Sequence, residues 1–305
     1  MQATVKSPVI FTGVGLHTGK TVRLVVRPAS AEHGIWFRRT DLDRDALVPA
    51  LWSAVERSPL CTKIVNDAGV SVSTIEHLMA ALAGCGVRNA LIDLDGPEVP
   101  ILDGSSAPFV RGILEKGILA QQEAARALKI LETVEVREGL AWARLEPADG
   151  FAMDFDIDFT DEAIGRQSRH MDLANGAFVH DLADSRTFCR QSDVDTMRAN
   201  GLALGGTLEN AVVVDGKQIL SPGGFRHMDE PVRHKMLDAV GDLSLAGAPI
   251  LGRYVGHRAG HGITNHLLRA LFARPEAFQM VECTPAMASR LPGAGVTRAD
   301  AITLH

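Results

Sequence analysis

Two stretches of this chain follow the same plan, and this echo constrains the fold more than any other feature of the sequence. Residues 19–38 read GKTVRLVVRPASAEHGIWFR, and residues 139–156 read GLAWARLEPADGFAMDFD. Each stretch has the pattern of an alternating strand, a Pro-Ala turn and a second alternating strand. The two prolines, Pro28 and Pro147, lie 119 residues apart. A repeated plan of this kind indicates two related halves.

Each half also carries an amphipathic helix, predicted at residues 73–84 and 234–247. The first histidines of these helices are 157 residues apart, a larger spacing than that of the two prolines. The surplus predicts an insertion in the second half, between about residues 185 and 220. We therefore predict two α/β domains of similar plan, residues 1–124 and 125–305.

Composition excludes several classes of protein. The formal net charge is −6 and no dense Lys/Arg stripe occurs, which argues against a protein that coats nucleic acid. No apolar run reaches the roughly 18 residues that a membrane span needs, and no signal peptide is recognisable at the N-terminus. The four cysteines are scattered without a C-x-x-C pair, as in proteins with reduced thiols. We expect a cytoplasmic protein.

The second predicted helix carries an unusual polar stripe. It follows Glu230-Pro231, and proline is well tolerated in the first turn of a helix. His234, Asp238 and Asp242 fall within an arc of about 80° on this helix. The opposite side is apolar: Met236, Leu237, Val240 and Leu243. The stripe could be an ordinary solvated face, but the i,i+4 spacing of His234 and Asp238 also lets both side chains reach one metal ion.

A catalytic zinc usually takes three protein ligands and leaves one position for water. The first predicted helix offers a third ligand in His77, beside the carboxylate of Glu76. Two structural interpretations compete with this role. Ser73-x-x-Glu76 has the pattern of a capping box, and His77 could be a hydrogen-bonded histidine at a domain interface.

Two glycine-rich segments contain further histidines. The segment GHRAGHGITNH at 256–266 contains His257, His261 and His266. His257 and His261 have ligand-like spacing, although the glycines make a continuous helix doubtful, and we favour His261 as a catalytic histidine. His17 in GVGLHTG is predicted to lie in a turn near the substrate, because strand-like sequence follows where a dinucleotide fingerprint would need a helix.

The segment DGSS at 103–106 invites interpretation as a serine nucleophile, but the chain has no G-x-S-x-G elbow. The segment is better explained as the N-cap of a helix that begins at APFVRGIL.

With these segments in view, the chain resembles the UDP-3-O-acyl-N-acetylglucosamine deacetylases, the zinc amidases of lipid A biosynthesis. The resemblance runs almost from end to end and rests on a specific combination of motifs. They are GVGLHTG at 13–19, VSTIEHLMAALAG at 72–84, PEVPILDGSSAPFV at 97–110, SRTF at 185–188, GLALGGTLENAVVVD at 201–215, VRHKMLDAVGDL at 232–243 and AGHGITN at 259–265.

The resemblance implies a role for each residue of the polar stripe and its neighbours. It implies metal ligands at His77, His234 and Asp238, and it makes Glu76 the general base instead of a helix cap. The implied metal is Zn²⁺, although two histidines and a carboxylate also accept Fe²⁺.

Further residues acquire roles in the same way. The resemblance implies that His261 is the general acid, with Asp242 as its orienting partner. It also implies that the hydroxyl of Thr187 donates to the oxyanion, and that Lys235 binds a substrate phosphate or sugar hydroxyl. Lys235 could otherwise be an ordinary surface lysine.

Two aromatic residues are candidates on the substrate side. Phe188 could pack on the hexose or the acyl chain, and Phe159 could stack on uracil. Each could equally be a core residue. In the family the region of residues 202–206 forms a passage for the acyl chain. After Phe188 the sequence departs from the family pattern with Cys189-Arg190-Gln191-Ser192, so the shape of that passage is open.

The fold that the resemblance implies is α+β, with two layered β-α-α-β domains facing each other. Each domain carries an insertion, and the active site lies between them. The expected substrate is an acylated UDP-sugar, the expected product is acetate, and we expect a monomer. Two other hypotheses are an amidase acting on a different acylated sugar nucleotide and a lipid-sugar binding protein without catalysis.

Overall fold

The first half of the chain forms a five-stranded sheet, two small sheets and two helices. The structure is a computed structural model that describes residues 1–58 and 60–302. The strands of the first half, in chain order, are β1 (Ala3–Val5), β2 (Val9–Val14), β3 (Thr21–Pro28), β4 (Ile35–Arg39), β5 (Leu47–Pro49), β6 (Val55–Glu56), β7 (Lys63–Val65), β8 (Ser71–Val72), β9 (Ala90–Leu94) and β10 (Ile118–Ala120). The helices are α1 (Glu76–Gly84) and α2 (Ala107–Lys116).

As far as residue 302, the second half forms a seven-stranded sheet, a separate three-stranded sheet, four α-helices and a short π-helix at Phe178–Leu182. Its strands are β11 (Arg126–Ile130), β12 (Val134–Glu138), β13 (Ala141–Glu146), β14 (Phe151–Asp158), β15 (Arg166–Asp172), β16 (Phe188–Arg190), β17 (Val212–Asp215), β18 (Gln218–Ile219), β19 (Ile250–His257) and β20 (Phe278–Glu282). Its helices are α3 (Gln191–Ala199), α4 (Glu230–Ser244), α5 (His261–Phe272) and α6 (Pro285–Ala288).

The two similar stretches of sequence adopt the same strand topology. In the first half, β3 and β4 do not pair with each other but flank β9, β3 antiparallel and β4 parallel. In the second half, β13 and β14 flank β19 in the same two senses. Each central strand follows a helix, α1 or α4, and precedes another, α2 or α5. Both halves therefore share the order β-β-α-β-α.

Strand periodicity places the core. In β14 the side chains alternate strictly, with Phe151, Met153, Phe155 and Ile157 buried. Alternation of this kind is typical of a strand with one face on a core. One continuous cluster of buried apolar side chains runs through both halves.

Helices α1, α2, α4 and α5 pack on one another and on the two main sheets, whereas α3 packs on β16 and β17. α2 packs on β2 of the first sheet, α5 packs on β12 and β13 of the second, and α1 packs against α4. The α+β prediction is confirmed. The insertion-like segments form small sheets of their own, β6-β7-β8 and β16-β17-β18. The predicted domain boundary at residue 124 stays a prediction.

Two helix starts differ from expectation. α4 begins at Glu230, four residues earlier than the predicted start at residue 234, and Pro231 lies in its first turn. α1 begins at Glu76, three residues later than expected. Ser73 is instead tied to the strand-like segment beside it, because its N–H donates to the Pro97 carbonyl at 3.0 Å. Thr74 has a φ of 58°, which ends any continuation of the helix toward Ser73.

The expected state of the cysteines agrees with the structure. All four cysteines carry free thiols. No helix in residues 1–58 or 60–302 is both long and apolar enough to cross a membrane.

Candidate active site

Three side chains that the sequence predicted as metal ligands meet between α1 and α4. Potential ligand atoms of His77, His234 and Asp238 all lie within 4.8 Å of one another. Asp238 Oδ1 is 3.3 Å from His234 Nε2 and 3.6 Å from His77 Nε2. Each of the three residues is at most 5% exposed. The polar stripe of α4 is therefore buried and is not a solvated face.

The cluster fits a tetrahedral metal ion. Ligand atoms about 2.0–2.2 Å from a tetrahedral zinc lie about 3.3–3.6 Å from one another, close to the separations of Asp238 Oδ1 from the two imidazole nitrogens. Asp238 Oδ1 is buried and has no hydrogen-bond donor among the described residues, whereas Oδ2 accepts from Lys235 Nζ at 2.8 Å. A buried carboxylate oxygen without a donor is costly unless a cation occupies the space in front of it.

His234 is held in the tautomer that a metal requires. Its Nδ1 lies 2.9 Å from the carbonyl oxygen of Ser185, a bond in which Nδ1–H donates, so the lone pair is on Nε2. Orientation of a ligating histidine by a carbonyl is common in metal sites. Burial lowers the pKa of His234 to about 4, which keeps the ring neutral at physiological pH.

Asp238 is ionised in this setting. Burial on its own would raise the pKa of Asp238, but the neighbouring His234 and Lys235 hold it well below its usual range. The three residues thus present two imidazole nitrogens and one carboxylate oxygen, a donor set that suits Zn²⁺ or Fe²⁺.

Glu76 is not a helix cap. Its Oε2 accepts the backbone N–H of Thr62 at 3.0 Å, and the N-terminus of α1 has no side-chain cap. The capping-box interpretation therefore does not describe this residue. Glu76 Oε1 lies 3.8 Å from His261 Nε2. Burial raises the pKa of Glu76 above its ordinary value, against the lowering effect of His261 and His77, and a base benefits from such a shift.

His261 is paired with Asp242. His261 Nδ1 lies 2.8 Å from Asp242 Oδ2, and its Nε2 faces the cluster at 4.0 Å from Asp238 Oδ2. Burial on its own would lower the pKa of His261, but the carboxylates of Asp242, Glu76 and Asp238 raise it to about 9. His261 is the first residue of α5, where the helix dipole disfavours a cation, so the carboxylate of Asp242 has to compensate.

Thr62 links the two carboxylates that flank the cluster. Its N–H donates to Glu76, and its hydroxyl donates to Asp242 Oδ1 at 2.5 Å. Thr62 belongs to the loop before β7 in the first half, whereas Asp242 belongs to the second half. A single residue therefore positions groups from both halves.

The expected N-cap at DGSS takes a different form. Ser106 does stand directly before α2, but its side chain makes no cap hydrogen bond. Its hydroxyl instead donates to the carbonyl of His77 at 2.8 Å. Ser106 thus ties α2 to α1 directly beneath the metal cluster.

A cavity of about 760 Å³ opens in front of the cluster. Its lining includes His234, Asp238 and His261 together with every residue predicted on the substrate side: His17, Phe159, Thr187, Phe188 and Lys235. The volume lies in the range of ligand sites, about 300–1,000 Å³.

The aromatic residues of this lining form a chain toward the cluster. Phe159 packs edge-on against Phe188 with ring centroids 5.4 Å apart, and Phe188 packs edge-on against the ring of His234 at 6.2 Å. Both phenylalanines are half-buried and pack on the core, so they join the core to the cavity wall.

His17 lies in the turn between β2 and β3. Both of its ring nitrogens are buried without a hydrogen-bond partner among the described residues. Its backbone N–H and that of Thr18 donate to the buried carboxylate of Glu98, each at 2.9 Å. The turn is therefore rigid, and burial lowers the pKa of His17.

The atypical segment after Phe188 places a charge on the cavity wall. Arg190 donates through Nε and Nη2 to Asp193, each bond 2.8 Å long. Both residues line the cavity beside the apolar Val194 and Met197.

The other two histidines of GHRAGHGITNH lie outside the cluster. His257 ends β19 and stacks on Trp142 with centroids 5.9 Å apart. His266 pairs with Glu138 at 3.3 Å. His257 ends a strand and His261 begins a helix, so the two residues do not share a helix face.

Sequence reasoning missed the groups that orient the cluster. Ser185 acts through its carbonyl, and Thr62 acts partly through its N–H, so neither has a side-chain signature at this spacing. The buried pair of Arg186 and Glu230 was also missed. Its only signal was a charged residue directly before the Pro231 that starts a helix.

Sequence similarity to known proteins indicates the family of this chain. The sequence model of the UDP-3-O-acyl N-acetylglycosamine deacetylase family matches residues 2–273. Three relatives, each named UDP-3-O-acyl-N-acetylglucosamine deacetylase, are similar over most of both chains. The Phenylobacterium zucineum protein is 51% identical over 280 residues, covering 92% of this chain and 96% of the relative. The Shewanella woodyi and Haemophilus influenzae proteins are 48% and 46% identical over 282 residues, 92% of each chain. The chain therefore belongs to the UDP-3-O-acyl-N-acetylglucosamine deacetylase family.

Proposed function

We propose that this chain is a metal-dependent amide hydrolase that removes the N-acetyl group of UDP-3-O-(3-hydroxyacyl)-N-acetylglucosamine. The products are UDP-3-O-(3-hydroxyacyl)-glucosamine and acetate, in an early step of lipid A biosynthesis. The observation that carries the proposal is one convergence of groups. Three side chains that together could hold a metal lie beside a buried carboxylate, Glu76, and the histidine His261. Two of the three, His234 and Asp238, line a ligand-sized cavity together with His261.

The metal site consists of His77, His234 and Asp238. We propose Zn²⁺ as the metal, with Fe²⁺ as the alternative that this donor set also accepts. When bound, the ion supplies Lewis acidity, which polarises the amide carbonyl and makes water more acidic. The remaining chemistry belongs to the side chains around it.

Glu76 is proposed as the general base. Its Oε2 is held by the Thr62 N–H, and its Oε1 lies 3.8 Å from His261 Nε2. It accepts a proton from the water that attacks the acetamide carbonyl. Burial raises the pKa of Glu76, so its carboxylate binds a proton more strongly, as a general base near neutral pH should.

His261 is proposed as the general acid. With a pKa raised to about 9 it is protonated at neutral pH, and its Nε2 faces the cluster while Nδ1–H is held by Asp242. The cation stabilises negative charge as the carbonyl is attacked. It then donates the Nε2 proton to the departing amine, and Asp242 keeps the ring aligned.

The hydroxyl of Thr187 is proposed to donate to the oxyanion. Thr187 lies on the cavity wall, and its backbone is anchored at both sides. Its N–H donates to the Gly104 carbonyl and its carbonyl accepts from Val212, each at 2.8 Å. A donor of this kind is typically worth about 3 kcal/mol of transition-state stabilisation.

The remaining lining residues are proposed to bind substrate. Lys235 binds a phosphate or sugar hydroxyl, and His17 offers two ring nitrogens without protein partners. Phe188 packs on the hexose or acyl chain, and Phe159 stacks on uracil. The acyl chain follows the wall formed by Val194 and Met197 of α3 and by Val213 of β17. We further propose that the protein acts as a monomer in the cytoplasm.

The direct test is acetate release from UDP-3-O-acyl-N-acetylglucosamine before and after chelation. The expected result is release by the zinc-loaded protein, loss of release with a chelator, and recovery when Zn²⁺ is returned. No acetate from the zinc-loaded protein would contradict the proposal.

The Arg190–Asp193 pair supports a second candidate function, an amidase for a different acylated sugar nucleotide. A charged pair on the cavity wall changes which acyl groups are accommodated. Comparing kcat/KM across substrates with different acyl groups separates the two candidates, because the first requires turnover with a 3-hydroxyacyl group.

A further inference from the structure

Arg186 and Glu230 form a buried ion pair directly behind the metal cluster. Their side chains are 9% and 1% exposed. Glu230 Oε1 accepts from the N–H and the Nε of Arg186, both at 2.9 Å, and Oε2 accepts from Nη2 at 3.1 Å. The N–H of Arg226 adds a fourth donor at 2.6 Å. A buried pair of this kind contributes little net stability over an apolar substitute, so its position is more informative than its strength.

The position of the pair relates it to His234. Glu230 is the first residue of α4, and His234 follows four residues later on the same face of the helix. Arg186 directly follows Ser185, whose carbonyl accepts the Nδ1–H of His234 at 2.9 Å. The segment 185–186 therefore contacts two successive turns of α4. Arg186 binds Glu230 through its side chain and its N–H, and the carbonyl of Ser185 binds His234.

The same segment continues into Thr187 on the cavity wall. The hydrogen bonds of the Thr187 backbone go to Gly104 in the first half and to Val212 in the small second-half sheet. These bonds set where Thr187 stands relative to the cavity, whereas the Arg186–Glu230 pair sets where the segment stands relative to α4. The guanidinium–carboxylate fork makes this second attachment directional, which a single bond or an apolar contact would not.

We propose that the Arg186–Glu230 pair positions the 185–187 segment over α4, so that the Ser185 carbonyl holds His234 in its metal-binding tautomer and the Thr187 hydroxyl faces the cavity. Arg186 and Glu230 act through their neighbours and are positioning residues. The inference rests on the proposed function for the roles of His234 and Thr187. The proposal gives a positioning role to two residues that contact neither metal nor substrate.

The test compares Glu230→Gln with Asp93→Asn in the full-length chain. Both substitutions neutralise a buried carboxylate without changing its shape. Asp93 pairs with Arg27 and Arg38 in the first sheet and lies outside the site. The readouts are the ¹⁵N resonances of the His234 ring in metal-free protein, the Kd for Zn²⁺ by competition with a chelating dye, and the separate values of kcat and KM.

For Glu230→Gln we expect a mixture of His234 tautomers and a zinc Kd raised about 10- to 100-fold, the usual effect of removing an outer partner of a metal ligand. At saturating zinc we expect kcat to fall while KM stays close to that of the parent, because an oxyanion donor acts in the transition state. Asp93→Asn should lower the melting temperature and leave His234, the zinc Kd and kcat unchanged.

The proposal is overturned if Glu230→Gln behaves like Asp93→Asn, with a lower melting temperature but an unchanged His234 tautomer and zinc Kd. If Glu230→Gln does not fold, Arg186→Lys takes its place, since lysine keeps the charge but cannot form the fork. A smaller rise in zinc Kd with mixed tautomers supports the proposal, and unchanged values overturn it. If the parent protein releases no acetate, the proposed function fails, yet the His234 resonances still decide the role of the pair.

Discussion

Gly241 of α4 lies directly against the backbone carbonyl of Glu76 in α1. A β-carbon at residue 241 would stand 2.1 Å from that oxygen and 2.9 Å from the carbonyl carbon. The two helices therefore touch backbone to backbone at a point between Asp238 and Asp242. This crossing brings the first turn of α1, with Glu76 and His77, against the polar stripe of α4.

Gly241→Ala should separate the two helices. We expect overpacking of about 1–3 kcal/mol to exceed the roughly 1 kcal/mol that alanine gains over glycine in a helix. The free energy of unfolding in urea should fall, and kcat/KM should fall about 100-fold, because a displacement of about 1 Å between reacting groups has that effect.

The matched control is Gly262→Ala in α5, where a β-carbon would meet no atom within 4 Å. It should not lower the free energy of unfolding. A Gly241→Ala protein as stable and as active as the parent would show that the crossing tolerates a methyl group and is not what aligns the site.

Asp242→Asn should shift the pH dependence of the reaction. Burial opposes the charge of His261, while Asp242 leads the carboxylates that raise its pKa to about 9. Removing that charge lowers the pKa of His261, by about one to three pH units for a neighbouring opposite charge. A proton donor is present below its pKa and lost as pH rises through it, so the alkaline fall in kcat/KM should move to lower pH.

Two measurements check this: the pH–rate profile, and NMR titration of His261 in the metal-free chain. Asp154→Asn is the control, since it removes the carboxylate partner of His170, outside the cavity lining, and should leave the profile unchanged. An alkaline limb that does not move in Asp242→Asn would assign that limb to another group.

Glu76→Gln should abolish most turnover while leaving the metal bound. Glutamine keeps the shape of the side chain but cannot accept a proton, and loss of a general base typically costs about 10²–10⁴-fold in rate. Glu76 lies outside the ligand cluster of His77, His234 and Asp238, so about one zinc per chain should remain. Acetate release and metal analysis on the same sample test this role of Glu76. Loss of zinc would show that Glu76 is a structural or ligating residue.

Zinc should stabilise the fold, because its ligands come from both halves of the chain. A ligand that binds only the folded state adds about 2.7 kcal/mol at a concentration 100 times its Kd. Zinc should also satisfy Asp238 Oδ1, which otherwise lacks a donor. The melting temperature should therefore rise with zinc and fall with a chelator, and Asp238→Asn should remove most of that response. His257→Gln should retain it, whereas a lost response there would place His257 among the ligands.

The composition of α4 could be interpreted from sequence because both of its faces are local properties. A period of 3.6 residues places His234, Asp238 and Asp242 together and the apolar residues opposite, whatever the helix packs against. The alternating strands of the two similar stretches could be predicted equally well, because successive side chains of a strand point to opposite faces in any sheet. The family resemblance added the residues whose roles have no local pattern.

The start of α1 could not be predicted from local pattern. Ser73-x-x-Glu76 satisfies the capping-box pattern, yet Ser73 bonds to Pro97 and Glu76 bonds to Thr62, both distant in sequence. Likewise β3 and β4 follow each other in sequence, yet β9 lies between them in the sheet. Hydrogen bonds to remote segments outweighed the local preference in each case.

By itself the sequence determined which residues share a helix face, which strands alternate and that the chain has two related halves. Each of these follows from the geometry of a single element. Only the tertiary structure decided that His77 and Glu76 meet α4. That meeting depends on a backbone contact at Gly241, on Thr62 holding carboxylates of both halves, and on the Ser185 carbonyl facing His234. Backbone groups carry most of these contacts, and a backbone carbonyl or N–H is the same at every position of a sequence.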